Sequence, residues 1–445
     1  MKKKIIISLL LSFLILTNYI FGFQTDTLIL KGKNSVKVDS ILVIGNEKTE
    51  SFIVLRELTF KSGDVINKQD IDYNKERVYS LGIFNFAKII LIKEFEIITA
   101  VIEVEESWYI YPIPFVYAQD GEYKEISYGL SLLYKNFRGR NETINSFVSL
   151  GYNKTFYISY YNPVINKTFD LNLTTALIYQ STNNRSGSAF VLNGSNFEYK
   201  TIGGSVALGK RFTQFTDAFL LIGYNYIEAP SNLLSPLMAS KSLVDESLIL
   251  GATYIYDTRN LKQFPSDGIL MRAGLLNKGI GSEKINYNIF SIDYREYRPL
   301  VNKITGKWRV AYRNTFGKFI PFYDYSYFGF EQYIRGHRSD EREGHDYFLT
   351  SAELSYPLIR DFNVSFDIPP IPKQLSSARI EVHINIFTDA GITYNNRENW
   401  DINNFDSGWG AGISILFLPY NSVRMEYALN KYGKGELLFG TGFSF

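Results

Sequence analysis

The sequence predicts an all-β transmembrane barrel of about sixteen antiparallel strands, preceded by a small α+β domain. Three observations carry this. The amino terminus is laid out for export, aromatic residues make up 16% of the 445 residues, and from residue 108 onward one strand pattern follows another with turn clusters between them. After the leader no uncharged apolar run reaches the roughly eighteen residues of a membrane helix, so a closed barrel is the remaining way to cross a bilayer.

The leader "MKKKIIISLLLSFLILTNYIFGF" has a basic end at Lys2, Lys3 and Lys4, an apolar core from Ile5 to Leu16, and a small residue, Gly22, for cleavage. Residues 1–22 are expected to be a signal peptide, because such a core is too short to span a membrane. Residues 35–106 read as strand, helix, helix, strand, strand. The stretch "DSILVIGN" is the first strand, Thr49 is expected to cap a helix from Glu50 to Leu58, and Gly63 breaks the chain. A second helix is expected from Lys68 to Leu81, ending at Gly82, and "FNFAKIILI" and "EIITAVIEVEE" form a hairpin.

Residues 108–445 form the barrel. Connections after even-numbered strands are short ("RGRN", "LPYNS"), whereas those at 181–196, 229–243, 318–345 and 391–407 are long. That asymmetry puts both termini in the periplasm. The exception is 359–377, where the proline-rich "DIPPIPK" is expected to form a long periplasmic connection. In the last strand, "ELLFGTGFSF", Leu437, Phe439, Thr441, Phe443 and Phe445 share a lipid face, while Glu436, Leu438, Gly440, Gly442 and Ser444 face inward. The first strand, "WYIYPIPFVY", contains Pro112 and Pro114. Two prolines two apart remove donors from the same strand side. If that side faces the last strand, the barrel closes along a weak seam between Pro112 and Pro114 on one strand and Phe439, Phe443 and Phe445 on the other. Such a seam could open sideways and template a client's strand; the alternative is that the prolines only stiffen the connector from the small domain.

Composition excludes several classes. A net charge of +2 gives no reason to expect nucleic acid as a partner. Without cysteine there is no disulfide, thiolate metal site or lipoprotein anchor. The three histidines, His337, His345 and His383, fit no nucleophile elbow or zinc spacing, and "GGSVALGK" lacks Walker spacing. The chain is therefore expected to be no enzyme and to use no cofactor or metal.

Several motifs in one order carry a resemblance. "ILVIGNEKT", "LTFKSGDVIN" and "RVYSLGIFNFAKIIL" resemble a POTRA domain, a periplasmic module that binds extended peptides by adding them to a sheet edge. "YIRGHR" resembles the Arg-Gly signature in the sixth loop of BamA/TamA-type outer-membrane assembly barrels. "YGLSLLYKNFRGR", "YDTRNLKQFPSDG" and "GWGAGISILFLPYNSVRMEYAL" agree with it, so the resemblance covers nearly the whole mature chain. It implies that the loop folds into the lumen, where Arg335, beside Gly336, meets Glu353 in "SAELSYPL" and Asp389 in "IFTDAGITY". Where the family has an aromatic residue after Arg-Gly, this chain has His337, which puts the packing of the loop tip in question. The implied job is insertion of barrel proteins into the outer membrane. Its partners would be unfolded outer-membrane β-barrel clients and outer-membrane lipid, with periplasmic chaperones or accessory lipoproteins as further partners. The alternatives are a two-partner-type secretion translocator or a dedicated lipid or client export pore. Two-partner translocators carry two POTRA domains and a plug helix, for which this chain has no room.

Overall fold

A computed structural model describes residues 26–28, 34–118, 125–234, 237–280, 282, 284–329, 332–367, 369–395 and 401–441. The expected signal peptide and the strand-end residues Phe443 and Phe445 lie outside the described residues.

The small domain holds β1 (Asp26–Leu28), β2 (Ser35–Lys37), β3 (Ser40–Ile44), α1 (Ser51–Leu55), β4 (Val65–Asn67), α2 (Lys68–Tyr79), β5 (Phe84–Glu94) and β6 (Ile97–Glu106). Its main sheet runs β1-β5-β6-β3, with β3 parallel to β6. The apolar faces of both helices cover this sheet, burying Ile53, Val54, Val78, Ile89 and Ile102 in one core. Asn67 caps α2, with Asp70 closing a reciprocal capping box. Thr49 does not cap α1 as expected. The helix starts at Ser51 without a side-chain cap, and Thr49 instead donates to Glu106 at 2.7 Å and accepts from Asn136 at 2.9 Å. The threonine joins the domain to the barrel, a use that local sequence does not reveal.

The barrel sheet has sixteen strands in sequence order. They are β7 (Ile110–Ala118), β8 (Ile126–Phe137), β9 (Glu142–Gly151), β10 (Lys154–Asn166), β11 (Leu171–Asn183), β12 (Glu198–Thr213), β13 (Thr216–Glu228), β14 (Val244–Asp257), β15 (Gly268–Lys278), β16 (Tyr287–Pro299), β17 (Thr305–Gly317), β20 (Asp346–Ser365), β21 (Ser377–Tyr394), β22 (Asp406–Leu418), β23 (Asn421–Asn430) and β24 (Gly435–Thr441). Between β17 and β20 the loop carries a short pair, β18 (Ser326–Phe328) and β19 (Arg342–Gly344); α3 (Gly187–Asn193) lies in the loop after β11. Every neighbouring pair in the large sheet is antiparallel. Outward positions are apolar and open, as at Leu220, Ile386, Trp409 and Phe439. No helix among the described residues is long and apolar enough to cross a membrane.

The connection expected at 359–377 is shortened at its front end, because residues 359–365 are strand, and the proline-rich stretch falls in the turn that follows. β20 continues to Ser365 and β21 begins at Ser377, and the ladder between them passes through two register shifts. Bulges let the strand run past Pro357, which sequence pattern alone reads as a stop.

The small domain is docked on one rim of the barrel. Arg379 of β21 clasps Glu76 of α2 at 3.0 and 3.1 Å, and Arg211 of β12 reaches Glu57 at 2.7 Å. Tyr79 packs with Leu261, Phe264, Leu416 and Leu418 of the barrel.

Candidate functional site: the lumen loop and the open seam

The loop after β17 turns inward. Ile334 and Phe328 pack with Ala311 and Leu349, which fixes the backbone on either side of the tip. Arg335 is then held inside the sheet, 5% exposed. Its Nε and Nη2 donate to the two oxygens of Asp389 at 2.7 Å each, and its backbone N–H reaches the same carboxylate at 3.0 Å. Its Nη1 donates to Glu353 at 3.1 Å and to Glu426 at 3.1 Å. The guanidinium lies over the Phe387 ring, 3.6 Å from its centroid.

A planar fork with five donors is what three carboxylates in a tight lumen require; an ammonium cannot grip one of them with two parallel bonds. The charges around it balance. Lys307 of β17 donates to Glu353 at 2.9 Å, and Arg424 of β23 lies 3.8 Å from Glu426. Three cations thus meet three carboxylates. An unpaired member would carry the full cost of a buried charge.

Strand β22 makes room for the loop. Its inward positions are Gly408, Gly410, Gly412 and Ser414, while Trp409 and Ile413 point outward. A Cβ on Gly408 would stand 1.9 Å from the Arg335 carbonyl oxygen. Gly336 has φ +94°, a conformation that favours glycine, and its Cα faces the backbone of Leu429 and Asn430. His337 is buried at the tip. Its Nδ1 pairs with Asp340 at 3.0 Å and its Nε2 with the Ser407 carbonyl at 3.2 Å, while its ring meets Tyr432 edge-on. The imidazole therefore packs like an aromatic ring and adds two polar contacts.

The structure thus brings Arg335, Glu353 and Asp389 into one cluster. Sequence reasoning missed Glu426, Lys307 and Arg424, which reach it from neighbouring strands, and Gly408. Only the glycine left a local trace, in the alternation of "GWGAGIS".

The second feature is an edge. Among the described residues no ladder joins β7 to β24, so the sixteen-stranded sheet ends in two strands with one open side each. Pro112 and Pro114 sit opposite Leu132 and Leu130 in an unbroken ladder to β8. A proline nitrogen aimed at β8 would interrupt that ladder, so the missing N–H donors are on the open side. On β24, Leu437 and Phe439 face outward and Leu438 is buried. From inside, Arg338 of the loop donates to the Phe439 carbonyl at 3.2 Å, and its backbone N–H reaches Glu436 at 3.1 Å. The tethered loop therefore touches the last strand directly.

The sixteen-stranded barrel, its inward-folded loop and the small docked α+β domain define a class of membrane β-barrels with an appended domain. Residues 136–445 match the Omp85 superfamily domain, and residues 36–106 match POTRA, the surface antigen variable number repeat. The chain belongs to the Omp85 superfamily and carries one described POTRA domain. Barrels of this family with a POTRA domain reside in the outer membrane with that domain on the periplasmic side. The fold is similar to BamA from Haemophilus ducreyi lacking POTRA domains 1–3, at 17% identity and TM-score 0.53, over 94% of this chain and 90% of that one. It is also similar to CdiB from Escherichia coli, at 11% identity and TM-score 0.56, over 94% of this chain and 79% of that one. At these identities the likeness is one of fold. No curated protein matches the sequence.

Proposed function

We propose that this protein inserts β-barrel clients into the outer membrane through the seam between β7 and β24. The observation that carries the reading is that, among the described residues, no ladder joins β7 to β24, while Pro112 and Pro114 remove two donors from the side of β7 away from β8. In lipid an unpaired strand edge has no water to satisfy it, so a client strand that adds to β24 gains its hydrogen bonds there. No nucleotide is needed; the client's own folding supplies the free energy. The cluster around Arg335 acts in this reading as a brace. It ties the loop to β20, β21 and β23 while the seam moves, and Arg338 links that brace to the opening strand. The POTRA domain would receive extended clients along a sheet edge.

A secretion translocator would pass its substrate through the lumen. The inward-folded Arg-Gly loop is common to both readings and does not separate them. Outside, Phe197, Leu233, Met238 and Phe322 pack the long loops into a shared apolar cluster. Depletion in the native cell, followed by a census of outer-membrane proteins, separates the two. Broad loss of barrel proteins is expected here; loss of a single secreted product would replace insertion with secretion.

A further inference from the structure

The hairpin between β20 and β21 continues past its neighbour on one flank. β17 pairs with β20 only as far as Ser355, yet β20 runs ten residues further. On β21 the odd positions Arg379, Glu381, His383 and Asn385 are buried, and the even ones face outward. Their partners on β20 keep that outward face apolar. Tyr356 stands opposite Ile384, Ile359 opposite Val382, and Phe362 opposite Ile380.

This phase depends on the two bulges. In unbroken register Arg360 would stand opposite Ile380 on the outer face. The register shifts put Phe362 there instead. Arg360 lines a small cavity with Arg379, Glu381 and His383, and Asp361 pairs with Arg379 at 3.3 Å and with Lys75 of α2 at 3.9 Å. The bulges therefore sort charge to the side of the POTRA domain and apolar groups to the other. Tyr356, Ile359 and Phe362 are 44%, 45% and 56% exposed, close to Ile384 and Ile386 higher on the same strand pair at 41% and 53%. Phe366 and Ile371, in the turn that follows, are also exposed.

We infer that this hairpin face lies in the acyl region of the periplasmic leaflet and fixes the height of the POTRA domain against the membrane. Its occupant follows from continuity: the outward residues of β21 run Ile386, Ile384, Val382 and Ile380 from the barrel wall to the rim, all apolar. Its opposite side holds the domain, through Arg379 to Glu76 and through the Asn85 amide, which donates to the Gln374 carbonyl at 2.9 Å. Lipid on one side and the POTRA domain on the other make the hairpin a spacer between them. The inference stands on the barrel's outer surface and is independent of how the seam works.

The test uses the full chain, which has no native cysteine. Phe362→Cys and Ile380→Cys each receive a nitroxide label, with Ile386→Cys as a lipid reference and Lys61→Cys as a water reference. The proteins are reconstituted into vesicles of phosphatidylethanolamine and phosphatidylglycerol, and collisions with oxygen and with a water-soluble nickel chelate are compared. Labels at 362 and 380 should give the oxygen-dominated ratio of 386, and a label at Arg360→Cys should give the chelate-dominated ratio of 61. Two positions on the face guard against one variant failing to fold. A ratio like that of 61 at 362 and 380, or a lipid ratio at 360, overturns the proposal.

Discussion

Arg335 bonds three carboxylates, which decides what a repair experiment can do. Exchanging Arg335 and Asp389 would place a new carboxylate against Glu353 and Glu426, so reciprocal reversal should rescue little. Neutralisation is the cleaner probe. Arg335→Gln leaves three buried carboxylates short of a cation and should destabilise the barrel by about 3–5 kcal/mol. Arg335→Lys should fall between, since it keeps the charge and loses the paired bonds to Asp389. Asp389→Asn should cost clearly less in the Arg335→Gln background than alone, a coupling of about 0.5–3 kcal/mol in urea unfolding. Additive losses would separate the two residues. The arginine could be picked out from its Arg-Gly motif, and Glu353 and Asp389 from the motifs after it. Glu426 and Lys307 could not, because what joins them to the cluster is strand register, a property of pairs of segments far apart in sequence.

Elements carry the docking of the POTRA domain. Glu57, just beyond α1, accepts from Arg77 at 2.8 Å and from Arg211 of β12 at 2.7 Å. Burial alone would raise its pKa, but Arg211, Lys262 and Arg77 outweigh that and hold the carboxyl down at about 2, against an ordinary 4.5. A depressed acid stabilises the docked state above its unfolded value and loses that contribution as protons bind. Hydrogen-exchange protection in residues 46–60, taken relative to the intrinsic amide rate at each pH, should therefore be unchanged above about pH 5 and fall as the pH drops from 4.5 toward 2. Glu57→Gln should show lower protection at neutral pH and no such fall; wild-type protection that stays flat to pH 2 would remove this latch. Helix α2 was legible in sequence from its apolar spacing. The strands beyond residue 359 were not. Pro357 and "DIPPIPK" signal a loop, and only the apolar partners on β21 reveal that bulges carry the ladder onward. The role of Thr49 was hidden for a similar reason, since its partners Glu106 and Asn136 lie far along the chain.

At the scale of the whole molecule, strand number and alternation were readable because lipid outside and a crowded lumen inside impose a period of two on every strand. The state of the closure was not, because it depends on whether the first and last strands meet. Two prolines gave the one hint; among the described residues no ladder joins β7 to β24, and it is there that the proposed function puts its seam. The most direct measurement is to lock that seam. Ile113→Cys on β7 and Phe439→Cys on β24, oxidised to a disulfide in the purified full chain, are reconstituted into lipid vesicles with an unfolded barrel client. Insertion should fall to the rate of protein-free vesicles and return on reduction, while each single variant inserts normally. Full-rate insertion by the locked protein would contradict the account.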